Sequence, residues 1–98
     1  MIEHIVLFQF QPDTSPEAIA AMMQGLKGLK EKIPGIVSLS CGENFSDRAR
    51  GFTHGLVIRF VDRAALEVYQ PHPAHQDVIN TLIKPILAKV LAMDYQLL

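Results

Sequence analysis

The sequence predicts an α+β fold in which helices cover one face of a four-stranded antiparallel sheet. Apolar and polar residues alternate in four segments, as in strands that are buried on one side. Helical spacing appears after the first and third segments, so the order is strand, helix, strand, strand, helix, strand. The chain has 98 residues, 49% of them apolar, and we expect residues 1–98 to form one domain.

The first strand is predicted over residues 1–11, with one strongly apolar face and with Ile5 and Leu7 at the centre of the other. A helix follows. Ser15 can cap it, Pro16 fits its first position, and the Pro-Gly pair at 34–35 ends it. The apolar stripe of this helix is formed by Ile19, Met22, Met23, Leu26, Leu29 and Ile33.

The next two strands are predicted over residues 36–44 and 52–60, joined as a hairpin by a polar loop. Val57 is the main apolar residue on the second face of the third strand. After it, Asp62 can cap a short helix that carries Leu66 and Tyr69. A further helix is expected from Pro73 to about residue 84, and a last strand over residues 90–98.

This order is the split βαβ, ferredoxin-like pattern, in which the second face of the sheet stays open. Ile5, Leu7 and Val57 then lie on that open face, in a chain that is small for the apolar surface it carries. We therefore expect a homodimer in which two sheets pack face to face through these residues.

The bend at residues 69–75 gathers two histidines and a tyrosine between two prolines. His75 is the best candidate for a general base, and Tyr69 can orient it or donate to a developing enolate oxygen. His4 lies on the apolar face of the first strand with Val6 and Phe8. The alternative is structural: His75 braces the helix start, and Tyr69 packs in the core.

Composition narrows the classes of function. The net charge is −1, from 9 basic and 10 acidic residues, which argues against nucleic acid and anionic membranes as partners. Cys41 is the only cysteine, and neither a secretory leader nor a membrane span is evident, so we expect a cytoplasmic protein. The histidines have no carboxylate or cysteine at a recognised metal-ligand spacing, and we expect neither a metal nor a cofactor.

Four segments are informative in combination: His-Ile-Val-Leu-Phe-Gln-Phe at 4–10, Gly-Phe-Thr-His at 51–54, His-Pro-Ala-His at 72–75 and Asp-Tyr at 94–95. Together they resemble the stress-responsive A/B barrel (Dabb) family. The resemblance runs over nearly the whole chain and implies a dimeric α+β barrel. Most members have no established activity, but one, olivetolic acid cyclase, closes a polyketide by an aldol condensation. In that enzyme a tyrosine and a histidine matching Tyr69 and His75 carry the chemistry.

The resemblance also implies a pocket between the sheet and the helices, with a histidine matching His4 inside it. Here that pocket would be lined by His4, Val6, Phe8, Met22, Met23, Leu26, Leu56, Ile58 and Leu66.

Three functions stay open. The first is a homodimeric protein, stress-associated or of undefined role, that binds a small apolar molecule between sheet and helices. The second is a cofactor-free, cyclase-like lyase that acts on a carbonyl or polyketide compound through His75 and Tyr69. The third is a monooxygenase of the antibiotic-biosynthesis type, which shares the dimeric fold but relies on tryptophan and asparagine. This chain has no tryptophan, and Asn44 is poorly placed for that role.

Overall fold

One antiparallel sheet organises the structure, which is a computed structural model that describes residues 1–98. Its strands are β1 (Ile2–Phe10), β2 (Ile36–Glu43), β3 (His54–Phe60) and β4 (Leu87–Gln96). They lie in the order β2-β3-β1-β4, and each neighbouring pair is antiparallel. The predicted α+β, ferredoxin-like architecture is confirmed.

The helices follow the strands in the predicted order. They are α1 (Pro16–Lys27), α2 (Leu29–Lys32), α3 (Arg63–Tyr69), α4 (Pro73–Val78) and, directly after α4, a π-helical turn (Ile79–Ile83). The caps of α1 and α3 are the expected ones. The Ser15 hydroxyl accepts from the Ala18 amide at 3.1 Å, and the Asp62 carboxylate accepts from the Ala65 amide at 2.9 Å. No helix is both long and apolar enough to cross a membrane.

The structure corrects several element boundaries. The helix predicted from Pro16 to residue 33 is interrupted at Gly28, the residue type with the lowest helix propensity after proline. The helix predicted from Pro73 leaves α geometry at Ile79, because Pro85 cannot continue an α-helical hydrogen-bond ladder. There the Lys84 amide donates to the Ile79 carbonyl, five residues back, at 2.8 Å. The third strand begins two residues later than predicted and the last strand three residues earlier.

The two faces of the sheet are covered differently. Helices and the π-helical turn pack on the inner face, which carries the main core residues of the strands: Ile2, Val6, Phe8, Phe10, Leu56, Ile58 and Phe60. The outer face, which includes Ile5, Leu7 and Val57, has no helix over it. Val57 is 38% exposed, and Leu91, Met93 and Tyr95 of β4 lie on the same face at 43–57% exposure. This chain leaves the outer face uncovered, although its centre is apolar.

Candidate ligand cavity and acid–base cluster

A cavity of about 210 Å³ lies between the inner face of the sheet and the helices. Its wall is formed by His4, Val6, Phe8, Leu26, Leu56, Tyr69, His75, Ile79, Ile83, Leu87 and Val90. All of these are apolar except the two histidines and the tyrosine hydroxyl. An apolar pocket with a few convergent polar groups is the usual form of a small-molecule site. The volume is below the ~300–1,000 Å³ of drug-sized sites, so a ligand here must be small.

Four larger depressions lie on the surface, and two of them, of about 310 and 500 Å³, adjoin the strand β2. One opens on the outer face beside the β2–β3 loop, and the other lies between α1 and the end of β2. Neither contains Tyr69 or His75, and both are more open to solvent than the inner cavity. The chemistry-bearing side chains therefore converge on the smaller, more enclosed cavity.

The predicted wall and the observed wall overlap in part. The cavity includes the predicted residues His4, Val6, Phe8, Leu26 and Leu56. It does not include Met22, Ile58 and Leu66, which are buried in the surrounding core, or Met23, which lines the depression beside α1. The wall also contains residues from the π-helical turn and from the start of β4, two regions whose boundaries the sequence pattern misplaced.

Tyr69 and His75 stack at one end of the cavity. Their ring centroids are 4.0 Å apart, and the ring planes are inclined by 26°. Tyr69 ends α3 and is 1% exposed, and His75 lies in the first turn of α4. Between them, His72 caps α4 by accepting from the Ala74 amide at 3.1 Å. The proline bend thus brings the tyrosine and the histidine ring against ring.

The proton on the His75 ring has a defined place. Its Nδ1 is 3.1 Å from the Gln70 carbonyl oxygen, which can only accept, so Nδ1 is the N–H donor. In a neutral imidazole this leaves Nε2 with the free lone pair. Burial lowers the pKa of His75, and the nearby His4 and His72 act in the same direction, while backbone carbonyls oppose the shift. His75 is therefore uncharged near neutral pH, which is the form that accepts a proton.

His4 is held by a residue that sequence reasoning missed. Its Nδ1 pairs with a carboxylate oxygen of Asp94, the residue opposite it on β4. His4 is 7% exposed, and its ring meets the edge of Tyr69 with centroids 5.8 Å apart. Asp94, His4, Tyr69 and His75 thus form a continuous chain of contacts. The sequence offered two signals for Asp94: it is an acid within the alternating apolar pattern of the last strand, and it belongs to the Asp-Tyr pair at 94–95 that supports the family resemblance. Neither signal placed it beside His4.

Tyr69 supplies a neutral hydroxyl. Burial alone raises the pKa of this phenol well above its ordinary value, so the group keeps its proton and can donate a hydrogen bond. No other group of the chain pairs with the hydroxyl, although Tyr69 lies in the cavity wall. Glu3 Oε2 is the one fully buried side-chain oxygen or nitrogen without a hydrogen-bond partner, so the Tyr69 hydroxyl is not sealed in the core. It is open to the cavity, where a ligand or water can supply the acceptor.

The sequence pattern described as the Stress Responsive A/B Barrel Domain matches residues 2–97. The chain belongs to this family. It is similar to the stress-response A/B barrel domain-containing protein HS1 of Arabidopsis thaliana, with 30% identity over 97 residues that cover 97% of this chain and 88% of HS1. A second, longer stress-response A/B barrel domain-containing protein of the same plant is 32% identical over 81 residues, which are 82% of this chain and 30% of that protein. The match to this second relative therefore spans less than a third of its length.

Solved structures show the same fold. A crystal structure of an Arabidopsis thaliana protein has a TM-score of 0.89 at 29% identity, covering 100% of this chain and 96% of that one. A protein of Thermobifida fusca, described as dimeric, ferredoxin-like and of unknown function, has a TM-score of 0.85 at 25% identity, with 98% and 90% covered. A hydroxynitrile lyase of Passiflora edulis has a TM-score of 0.87, with 96% and 90% covered, but at 21% identity it supports the shared fold alone.

Proposed function

We propose that this protein is a homodimer in which each copy binds a small, largely apolar carbonyl compound in the inner cavity. The observation that carries the proposal is the Tyr69 hydroxyl, which is protonated and has no hydrogen-bond partner in the chain, at the wall of an apolar cavity. A carbonyl oxygen satisfies such a donor, and a hydrocarbon does not. The volume of about 210 Å³ suits a small ligand.

Acetophenone and ethylbenzene test the binding proposal, because they have similar shapes and only the first has an oxygen. We expect the protein to bind acetophenone about fivefold more tightly in calorimetry, the equivalent of one net hydrogen bond. Tyr69→Phe should remove this preference and keep the ring packing. Tyr95→Phe is the matched control, since Tyr95 lies on the outer face and should have no effect. A preference that persists in Tyr69→Phe would contradict the proposal.

A second candidate function is catalytic: proton removal from the carbon next to the carbonyl. The neutral His75 ring, with its free Nε2 beside the Tyr69 ring, favours it. In this step Nε2 takes the proton, and the C–H electron pair becomes the enolate, whose oxygen accepts from Tyr69. Return of a proton to carbon from the imidazolium regenerates the neutral base.

Deuterium exchange into the methyl group of acetophenone measures this step in D₂O, by mass spectrometry. We expect the protein to accelerate exchange, typically by about 10²–10⁴-fold for a positioned base, and His75→Gln to abolish the acceleration. His54→Gln is the matched control, because His54 is not in the cavity wall and should leave the rate unchanged. If acetophenone binds but does not exchange faster, the protein is a binder and the catalytic proposal fails.

The homodimer follows from the uncovered outer face. Relatives of the same fold are described as dimeric, and Ile5 and Leu7 lie at the centre of that face here. Leu7→Glu places a charge in the proposed interface and should give monomers or aggregates in sedimentation experiments. A wild-type protein that sediments as a monomer at micromolar concentration would contradict the dimer.

A further inference from the structure

The imidazole of His4 is held in one orientation by the side chains around it. Its Nδ1 pairs with a carboxylate oxygen of Asp94, which lies directly opposite it on β4. The ring also packs against Phe60 and Tyr69, whose ring centroids lie 6.3 and 5.8 Å from its own. A polar contact at one nitrogen and contacts with two aromatic rings together fix the position of the imidazole.

The contact with Asp94 also decides which ring nitrogen of His4 carries the proton. A carboxylate accepts hydrogen bonds and does not donate them, so Nδ1 is the N–H donor of this pair. In the neutral ring the lone pair then lies on Nε2. A hydrogen bond at one ring nitrogen is the usual means by which a protein selects the tautomer of a histidine.

The Nε2 atom of His4 faces the inner cavity. His4 lines that cavity and none of the four larger surface depressions. The one hydrogen bond of its side chain within the chain is made by Nδ1. Since Nε2 has no partner and yet is not among the fully buried unpaired atoms, it is open to the cavity.

Asp94 influences the cavity from outside it. It is not part of the cavity wall, and its side chain is 36% exposed. With Arg63 and Gln96 it lines a separate surface depression of about 260 Å³. A ligand in the inner cavity touches His4 but not Asp94, so Asp94 is a positioning residue that acts through His4.

The cavity wall thus presents three polar atoms with different hydrogen-bonding roles. The Tyr69 hydroxyl is a donor, and the Nε2 atoms of His4 and His75 are acceptors. A simple ketone satisfies the Tyr69 donor and brings a C–H group to His75, but it leaves the lone pair of His4 without a partner. A site with a polar group that a ligand leaves unpaired discriminates against that ligand.

We propose that Asp94 sets the tautomer of His4 and that this tautomer makes the cavity selective for carbonyl compounds with a hydroxyl on the adjacent carbon. The inference rests on the proposed function, in which Tyr69 donates to the carbonyl oxygen, and it adds a second hydrogen bond, from the hydroxyl to Nε2 of His4. The rings of Tyr69 and His4 meet edge to face with centroids 5.8 Å apart. This close contact suits a ligand whose two oxygens are on neighbouring carbons.

2-Hydroxyacetophenone and propiophenone test the selectivity, because they have similar shapes and differ by a hydroxyl in place of a methyl group. We expect the wild type to bind 2-hydroxyacetophenone about fivefold more tightly in calorimetry, the equivalent of one net hydrogen bond. The measurement is made at about pH 8, above the ordinary histidine pKa of about 6.5.

Variants of the His4–Asp94 pair assign the effect. His4→Phe keeps an aromatic ring and removes both nitrogens, so it should bind the two ligands equally. Asp94→Ala should reduce the preference to less than about twofold, because His4 then populates both tautomers. In both variants the preference for acetophenone over ethylbenzene should remain, since Tyr69 is unchanged.

The ¹⁵N NMR signals of the His4 ring report its tautomer without any ligand. We expect the proton on Nδ1 in the wild type and a mixture of tautomers in Asp94→Ala. Asp13→Ala is the matched control, because it removes an exposed carboxylate from the turn before α1. It should change neither the tautomer nor the preference for the hydroxyl.

The outcomes separate this inference from the proposed function. If the wild type does not prefer acetophenone to ethylbenzene, both are overturned. If it prefers acetophenone but binds 2-hydroxyacetophenone no better than propiophenone, the proposed function stands and the selectivity is overturned. A preference for the hydroxyl that persists in a folded His4→Phe variant overturns His4 as the acceptor. A proton on Nε2 of His4 in the wild type overturns the role of Asp94, and this result needs no variant to fold.

Discussion

Glu3 and His4 are neighbours in β1 that point to opposite faces of the sheet, and they are the two buried polar residues of the chain. Each pairs with an ionisable side chain on an adjacent strand: His4 with Asp94 on β4, and Glu3 with Arg59 on β3. Their settings differ. His4 borders a helix-covered cavity, whereas Glu3 borders an apolar surface that this chain leaves open. The difference shows that alternation assigns a residue to a face, but its role depends on what covers that face.

The largest expected difference between the two faces is in folding stability, and it is tested at two neighbouring residues of β3. Ile58 on the inner face is 0% exposed, and Val57 on the outer face is 38% exposed. We expect Ile58→Ala to lower the free energy of unfolding by about 2–5 kcal/mol, because it leaves a cavity in packed core. Val57→Ala should cost within about 0.5 kcal/mol in the monomer, as surface substitutions do. Urea denaturation below the dimer dissociation constant measures both, and equal losses would show that the outer face is packed within one chain.

An intermediate effect is expected from removing one partner of each ion pair. Arg59→Ala leaves the Glu3 carboxylate buried without its partner and should lower the free energy of unfolding by about 2–3 kcal/mol. The expected loss is smaller than for a wholly buried ion pair, because Arg59 is partly exposed. Asp94→Ala should cost only about 1 kcal/mol, because it removes one hydrogen-bond partner of His4 and leaves the packing of the imidazole ring in place. Urea denaturation again provides the measurement. A larger loss of stability in Asp94→Ala than in Arg59→Ala would mean that the His4–Asp94 pair is more strongly desolvated than the Glu3–Arg59 pair.

The smallest expected effect is a pH dependence of folding stability that arises from His75, on the inner side of the sheet. Burial lowers the pKa of His75 in the folded chain. Below the ordinary histidine pKa of about 6.5, the unfolded chain therefore binds a proton at His75 more readily than the folded chain does. Stability should therefore fall as the pH drops from about 6.5 towards the lowered folded pKa, and should be level above it. His75→Gln should remove this slope relative to wild type in melting curves at several pH values. A slope that survives in the variant would show that His75 is not its source.

The sequence predicted the fold class because strand alternation and helical spacing are local patterns that residues such as Val6, Phe8 and Leu26 display directly. It also brought Tyr69 and His75 to one bend, since prolines restrict the backbone locally. It missed Asp94 as the partner of His4, because the two are 90 residues apart and meet only through the β1–β4 pairing. The pairing of Glu3 with Arg59 and the alignment of Gly42 with Gly55 depend on register in the same way.

The wall of the cavity was harder to predict than its polar end. Met22 and Leu26 lie one helical turn apart on the same stripe of α1, yet only Leu26 reaches the cavity. Spacing along a helix indicates which side chains point inward, but not which of them meet an empty volume. Ile79 and Ile83 reach the wall from a π-helical turn, and the helical spacing of apolar residues in this segment does not predict such a turn.

The π-helical turn allows the volume of the inner cavity to change through small changes in sequence length. Such a turn holds one residue more than an α-helix of the same length, and here it carries Ile79 and Ile83 into the cavity wall. Loss of a single residue from it would return the segment to α geometry and leave the residues on either side in place, because the same length would then hold one residue fewer. Loss of Ile79 or Ile83 would remove one side chain from the wall, while His4, Tyr69 and His75 would keep their places on the sheet and the bend. The volume available to a ligand can therefore evolve by one-residue insertions and deletions, independently of the acid–base groups.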